Sequence, residues 1–285
     1  MNKTLLAFLA HPDDESFGSG GTLAKYADEG VDVHVAIATD GAAGSVADGY
    51  EGGADGDNGG HDGLAAVRLE ELKTAVSILN ATLHPFNYRD SGYIDDPAND
   101  HPDAFINTDM DETVGRLVTL IRKIRPQVLF THDETGGYYH PDHIHCWKVA
   151  TAAFHAAADP ARYPNAGEPH QCDRLYYTAF ADTRVKWIMR LMRLRGKDPT
   201  KIGQNKDIDL TRIGISPSHL HTHIDYRPYW NVKLAASACH ASQGGGGGFT
   251  KWLPMWVQKR LFGHDTFIRA FPPTPDGFRE TDFWQ

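Results

Sequence analysis

Two short loops gather the residues able to do chemistry: His11-Pro12-Asp13-Asp14-Glu15 and His140-Pro141-Asp142-His143. Imidazole and carboxylate together suit a divalent metal such as Zn²⁺. Three protein ligands with an open fourth position describe a catalytic site rather than a structural one. Water in such a position has a pKa lowered to roughly 7, and a further carboxylate beside it could accept the proton as general base. The plainer reading of Asp13 and Asp14 is helix capping, which Asp does well. Two adjacent acids between Pro12 and Glu15 exceed what a cap needs, while Glu15 fits either a supporting role or none.

The elements that must carry these loops alternate strand and helix. Thr4–Leu9 is a continuous apolar run, as a strand covered on both faces requires. Thr22–Asp28 has helical spacing and stops at Gly30, and Val31–Ala38 is a second, β-branched strand. Strand, crossover and strand in that order predict a βαβ unit and a parallel sheet. Further on, the pattern predicts a helix over 64–79 with Leu69, Leu72, Val76 and Leu79 on one face, and a strand over 82–88. An amphipathic helix over 113–124, a strand over 126–130, an Ala-rich helix over 143–158 and a strand over 174–180 follow. Residues 1–180 thus read as a Rossmann-like, doubly wound α/β core with a mostly parallel sheet. The less regular residues 181–285 read as the part of the same domain that closes the site, with a helix predicted over 229–242. In such sheets ligands bind beyond the carboxyl ends of strands at the topological switch point, the position both loops occupy. Each loop also has Pro where a first helical turn tolerates it.

Composition narrows the function. The 285 residues carry 28 Lys+Arg against 37 Asp+Glu, a formal charge of −9, with 16 His and 3 Cys. A net-acidic chain is a poor general nucleic-acid binder, which needs a basic face to replace phosphate counterions. Cys146, Cys172 and Cys239 are too few for a disulfide framework, so a reduced, cytoplasmic setting is expected. No apolar run approaches the roughly 20 residues that span a bilayer, and the apolar start runs into His11 without cleavage-site chemistry. The acidity is uneven: 16 acids face 3 bases between Asp40 and Glu112, whereas 11 bases face 4 acids between Arg184 and Lys233. A basic lid over the pocket would favour an anionic substrate. The basic, amphipathic Val185–Leu194 stretch reads as such a lid or an oligomer contact in preference to a membrane-surface helix. The Gly/Asp-rich Gly41–Gly63 segment reads as a loop bordering the pocket, and Gly244–Gly248 as a flexible loop.

Ala10 to Glu15 (A-H-P-D-D-E) paired with His140 to His143 (H-P-D-H) resembles the PIG-L/LmbE family of zinc-dependent de-N-acetylases. The resemblance implies zinc, or Fe²⁺ with the same ligands, held by His11, Asp14 and His143. It implies Asp13 as general base, His140 as an imidazolium that stabilises the oxyanion or protonates the leaving amine, and Asp142 as the carboxylate that orients His140. Within the family the chain is similar to the thiol-cofactor branch of mycothiol-pathway deacetylases and S-conjugate amidases. Arg68 and Asp90 resemble that branch's residues for sugar and inositol hydroxyls, and Tyr138 resembles its mobile active-site tyrosine. Lys233 with Ala235–Gln243 resembles its closing helix. Thr39–Gly44 departs from the branch, which carries an acidic pair there.

The implied reaction is hydrolysis of an N-acyl amide, acetyl foremost, on a small N-acetylglucosamine conjugate. An amidase for a longer acyl or cysteinyl amide is the alternative, and a sugar- or metal-binding module without turnover is the non-enzyme reading. A binder needs neither Asp13 nor His140. No dinucleotide site is expected, because Leu23 stands where the third glycine after Gly18 and Gly20 belongs, and no G-K-[ST] closes a phosphate loop. His34, His84, His155 and His219 read as structural, and His145 as structural or supporting.

Overall fold

The structure is a computed structural model that describes residues 3–47, 50, 60–202, 208–245 and 253–285. The central part of the Gly41–Gly63 loop and Gly246 to Gly248 of the glycine run lie outside the described residues. Strand β1 (Thr4–Leu9) leads into α1 (Asp14–Phe17), α2 (Gly20–Asp28) and β2 (Asp32–Thr39). Then come α3 (Gly60–Ile78), β3 (Thr82–Tyr88), α4 (Met110–Ile124), β4 (Val128–His132), α5 (Gly136–Tyr139), α6 (Pro141–Ala158) and β5 (Arg174–Thr178). The remaining chain forms α7 (Asp182–Leu194), β6 (Thr222–Asp225), α8 (Trp230–Cys239), α9 (Met255–Phe262) and β7 (His264–Phe271).

One seven-stranded sheet takes the order β3-β2-β1-β4-β5-β7-β6. The first five strands are parallel, while β7 and β6 add antiparallel at the far edge. Residues 181–285 are therefore built into the sheet of the core. The apolar run of β1 is buried at all six positions, because helices cover both sheet faces. One core packs Leu5, Leu9, Leu72, Val76 and Leu79 with Phe130 and Phe283. The other packs Leu6, Phe8, Leu117, Ile121, Leu129 and Phe154. Helix α4 shows the local rules plainly. Asp109 caps it by accepting from the Glu112 N–H at 2.9 Å. Val114, Leu117, Val118 and Ile121 form its buried stripe.

Boundaries differ from expectation where tertiary contacts decide them. Strand β4 runs to His132, two residues past the expected end, because its last residues still pair with β5. The helix expected over 229–242 is interrupted: α8 ends at Cys239, and a single 3₁₀ turn, Ala241–Gln243, follows after His240. His34 and His84 stack on one another at 5.1 Å, and His219 pairs with Asp276 at 3.0 Å, all in structural settings. Among the described residues no helix is long and apolar enough to cross a membrane.

Phe154 is fully buried on α6 with its ring 5.2 Å from that of Phe271. Phe154→Ala is expected to cost about 3–5 kcal/mol, read as a lowered urea midpoint at unchanged m-value.

Candidate active site

The chain leaves β1 for β2 and β3 on one side, then returns to place β4 on the other side of β1. The switch point lies between the carboxyl ends of β1 and β4, and both candidate loops emerge there. The first turns tightly, with the His11 N–H donating to Asp14 Oδ2 at 2.8 Å and the Asp14 N–H donating to the His11 carbonyl at 3.2 Å. This turn holds Asp13 at φ 145°, a conformation that costs a non-glycine residue of order 1–3 kcal/mol. The second loop passes through Gly136 and Gly137, at φ 61° and 74°, before His140 caps α6. A Cβ on Gly136 would stand 2.7 Å from the Cβ of His143, so glycine there lets the loop lie on the ligand ring.

His11, Asp14 and His143 converge. His11 Nδ1 lies 3.1 Å from His143 Nε2, and Asp14 Oδ2 lies 3.6 Å and 3.5 Å from those two atoms. The opposite ring nitrogens face acceptors: His143 Nδ1 the Gly136 carbonyl at 3.1 Å, and His11 Nε2 the Asp142 carboxylate at 3.2 Å. Each of those nitrogens must carry a proton, leaving two lone pairs and a carboxylate oxygen turned towards one another. Such an array needs a positive charge at its centre. Four-coordinate zinc, with ligands at about 2.0–2.2 Å, would separate its donors by roughly 3.3–3.6 Å, so the donor set fits a metal of that kind. Charge tells the same story. Burial opposes protonation of His11, but Asp90, Asp14 and Asp142 override it and raise its pKa well above the ordinary value.

Asp13 sits beside the cluster with its pKa raised by burial to about 6, against the pull of the Arg68 guanidinium. That value suits a base working near neutrality. Arg68 donates to Asp13 Oδ2 at 2.9 Å and to the Pro12 and Gly41 carbonyls at 2.6 Å each. It also borders a polar cavity, and its Nε has no hydrogen-bond partner among the described residues. Asp142 departs from expectation. Its carboxylate accepts from His11 and from the Ser91 N–H at 3.0 Å, and only its backbone N–H reaches His140, donating to Nδ1 at 3.2 Å. The reason is the N-cap: the ring of the capping residue takes the N–H of the residue two positions on, while the Asp142 side chain points towards the sheet end. The imidazolium expected at His140 is disfavoured too. Burial, reinforced by His11, lowers its pKa to about 3. With Nδ1 accepting, the neutral ring presents Nε2–H as a donor.

Two cavities flank this group. A polar one of about 450 Å³ is lined by His11, Asp13, Arg68, Asp90, Tyr138 and His140 together with Ser45, Tyr93, Asp96 and Gln243. Asp90 is pinned there by the Gly92 and Ala43 N–H groups at 2.9 and 3.1 Å. Its carboxyl, though buried, is held well below the usual range chiefly by His11. A second, more apolar cavity of about 300 Å³ lies against Asp13, Asp14 and His143 and runs between Leu9, Phe17, Ala179, Phe180 and Phe267. Tyr138 borders both cavities, and burial with Asp14 and Asp13 nearby keeps its phenol protonated. Of the basic side chains between Arg184 and Lys233, only Arg184 reaches a wall of either cavity among the described residues, although Ile208 of the same stretch also lines the polar one.

His132 escaped the sequence reading. It closes β4, stacks on the His143 ring at 3.8 Å, and places Nε2 3.5 Å from Asp14 Oδ2. The signal was its place at a strand's carboxyl end beside the switch point, hidden once the strand was ended at Phe130. Tyr93 was missed as well; its hydroxyl donates to the Tyr138 carbonyl at 2.9 Å. His145 packs edge-on against Phe105 at 4.6 Å, in a structural setting.

A buried, cation-seeking cluster with an ionisable carboxylate beside it, at the mouth of a polar cavity, is the site of a hydrolase. Comparison with known proteins agrees. The family described as PIG-L, GlcNAc-PI de-N-acetylase, matches residues 6–154. A 1D-myo-inositol 2-acetamido-2-deoxy-alpha-D-glucopyranoside deacetylase of Rhodococcus erythropolis is 38% identical over 261 residues, covering 85% of this chain and 81% of that one. A protein of the same description from Thermobispora bispora is 37% identical over 249 residues, covering 85% and 80%. Among solved structures, the N,N'-diacetylchitobiose deacetylase of Pyrococcus horikoshii superposes with TM-score 0.63 at 20% identity, over 94% of this chain and 83% of that one. A 4-carboxy-2-hydroxymuconate hydratase of Pseudomonas putida superposes with TM-score 0.62 at 18% identity, over 97% and 99%. The same fold thus hosts an unrelated reaction, and function rests on the site. The chain belongs to the PIG-L de-N-acetylase family and is a hydrolytic N-deacetylase.

Asp142→Ala is expected to weaken divalent-metal binding by about 10–100-fold by freeing the His11 ring. Calorimetric zinc titration of the apoprotein checks this.

Proposed function

We propose that this enzyme removes the acetyl group from an N-acetylglucosamine conjugate of the inositol-glycoside type, using zinc held by His11, Asp14 and His143. The observation that carries the reading is the cluster itself: two histidines with tautomers fixed by Gly136 and Asp142, one carboxylate, and Asp13 buried beside them. The relatives that share most of the chain act, by their names, on such a conjugate. Zinc, or Fe²⁺ in its place, would supply Lewis acidity to the amide carbonyl and to the attacking water.

The chain's own groups do the rest. Asp13, its carboxylate aligned by Arg68, accepts the proton of the attacking water and returns it to the departing amine. His140 at the start of α6 offers a neutral Nε2–H to the developing oxyanion, and Tyr138, its ring 5.8 Å from that of His140, offers its hydroxyl into the same cavity. Asp142 acts through His11 by orienting the ligand ring. Asp90, Asp96, Tyr93, Ser45 and Gln243 line the polar cavity with the acceptors and donors that sugar hydroxyls require. Arg68 contributes to that wall while it holds the base. The three cysteines are free, and two of them buried, which supports a reducing, cytoplasmic setting.

The second cavity favours a further reading. An acetyl methyl fills about one water's volume, roughly 30 Å³, whereas about 300 Å³ is open beside the cluster. An amidase acting on a longer acyl group would use that space.

Asp13→Ala is expected to lower kcat by about 10²–10⁴ with zinc stoichiometry retained by elemental analysis, whereas His143→Ala should lose the zinc. Amine release from a series of N-acyl glucosamine conjugates separates the two readings. Acetyl preference supports the deacetylase and hexanoyl preference the amidase, while release from none of them, with zinc bound, would reject both.

A further inference from the structure

Helix α8 grips the catalytic turn along one face. Lys233 Nζ donates to the Phe17 and Gly18 carbonyls at 3.0 Å each, and Ser237 Oγ donates to the Ser16 carbonyl at 3.4 Å. His240, just past the helix end, places Nε2 2.7 Å from Glu15 Oε1. Positions 233 and 237 share a helix face, His240 follows one residue past the helix end, and the three meet the turn at residues running back from Gly18 to Glu15.

The last contact differs in kind from the first two. Lys233 and Ser237 meet main-chain carbonyls, whereas His240 meets a carboxylate, and both side chains of that pair have 0% exposure. Glu15 turns its other oxygen back along the loop, where Oε2 accepts from the Asp13 N–H at 3.0 Å. Asp13 is therefore held at both ends, its carboxylate by Arg68 and its main chain by Glu15, in the backbone conformation least natural to it. Glu15 can hold that N–H as a charged acceptor only if its own buried charge has a partner. His240 is the charged partner; the same Oε1 also accepts from the Ser16 hydroxyl at 2.6 Å, and the Phe17 ring packs edge-on against the imidazole at 5.7 Å.

We propose that His240 is a positioning residue: acting through Glu15, it sets the main chain of Asp13 and so aims the base. The proposal rests on the assignment of Asp13 as general base. It places a determinant of turnover some 225 residues away in sequence, on the closing helix. Burial opposes a charge on His240, but Glu15 overrides it and raises the imidazole pKa, consistent with a charged pair. The working atom is Nε2. A glutamine amide nitrogen reaches about where Nε2 sits, whereas an asparagine amide nitrogen falls short, near Nδ1.

The test compares zinc-loaded His240→Asn, His240→Gln and Ser237→Ala with the parent enzyme. Kinetics on an N-acetylglucosamine conjugate, zinc affinity and Tm are measured, together with the Asp13 amide resonance by NMR. His240→Asn should lower kcat about 10–100-fold, with KM and zinc affinity nearly unchanged, and should shift the Asp13 amide. His240→Gln should recover most of kcat and the parental amide shift, while Ser237→Ala should keep both. Parental kcat and amide shift in His240→Asn would overturn the proposal. So would equal losses in His240→Asn and His240→Gln, or losses in Ser237→Ala of the same size. A parent inactive on every N-acyl conjugate would instead reject the deacetylation reading, and the amide shift would still decide whether His240 sets Asp13.

Discussion

Two imidazole lone pairs and a carboxylate oxygen cannot face one another inside a protein without a cation between them, and this constraint organises the molecule. The arrangement of His11, His143 and Asp14 is stable only around positive charge. The surroundings deepen that demand, since Asp13, Asp90 and Asp142 also lie within the buried site. Arg68 answers part of the negative charge at Asp13, and burial, reinforced by the neighbouring His11 ring, keeps His140 neutral. The same excess of carboxylates that would destabilise an empty core makes a strong site for a divalent metal.

The fold supplies the stiffness this array needs. Strands β1 and β4 are adjacent and parallel, so their carboxyl ends deliver both loops to one place, and the helices that follow are anchored on opposite faces of the sheet. Asp13 is held in a conformation it would not choose by the Arg68 guanidinium and by Glu15, and α8 seals the turn from behind. Strain at such a residue persists only where its neighbours over-determine it. The antiparallel strands β6 and β7 complete the sheet, while α8 packs against α2 and α3. Closure of the site is thus part of the folding of the whole chain.

Much of this was legible in the residues. The unbroken apolar run of Thr4 to Leu9 marked a strand buried on both faces, and the loop after it had to lie at a strand's carboxyl end. The paired His/Asp loops stood out because no cap or turn needs those residue types so densely. His132 was harder to see: its signal depends on where β4 stops, and strand ends are set by pairing with β5 rather than by local pattern. The contacts of Arg68 on α3 were likewise hidden, because its partners Pro12, Asp13 and Gly41 come from two other loops that the helix meets only in the folded state.

By itself, then, the sequence determined the α/β alternation and the two loops dense in histidine and carboxylate, since these follow from local periodicity and residue type. Tertiary structure alone decided which nitrogen of each histidine is free, that Asp142 steers His11 while His140 remains neutral, and that Glu15 and His240 stand behind Asp13. Those outcomes depend on burial and on partners distant in sequence. A proton's place on a ring is settled by what lies within hydrogen-bond reach of it, and that is known only when the chain has folded.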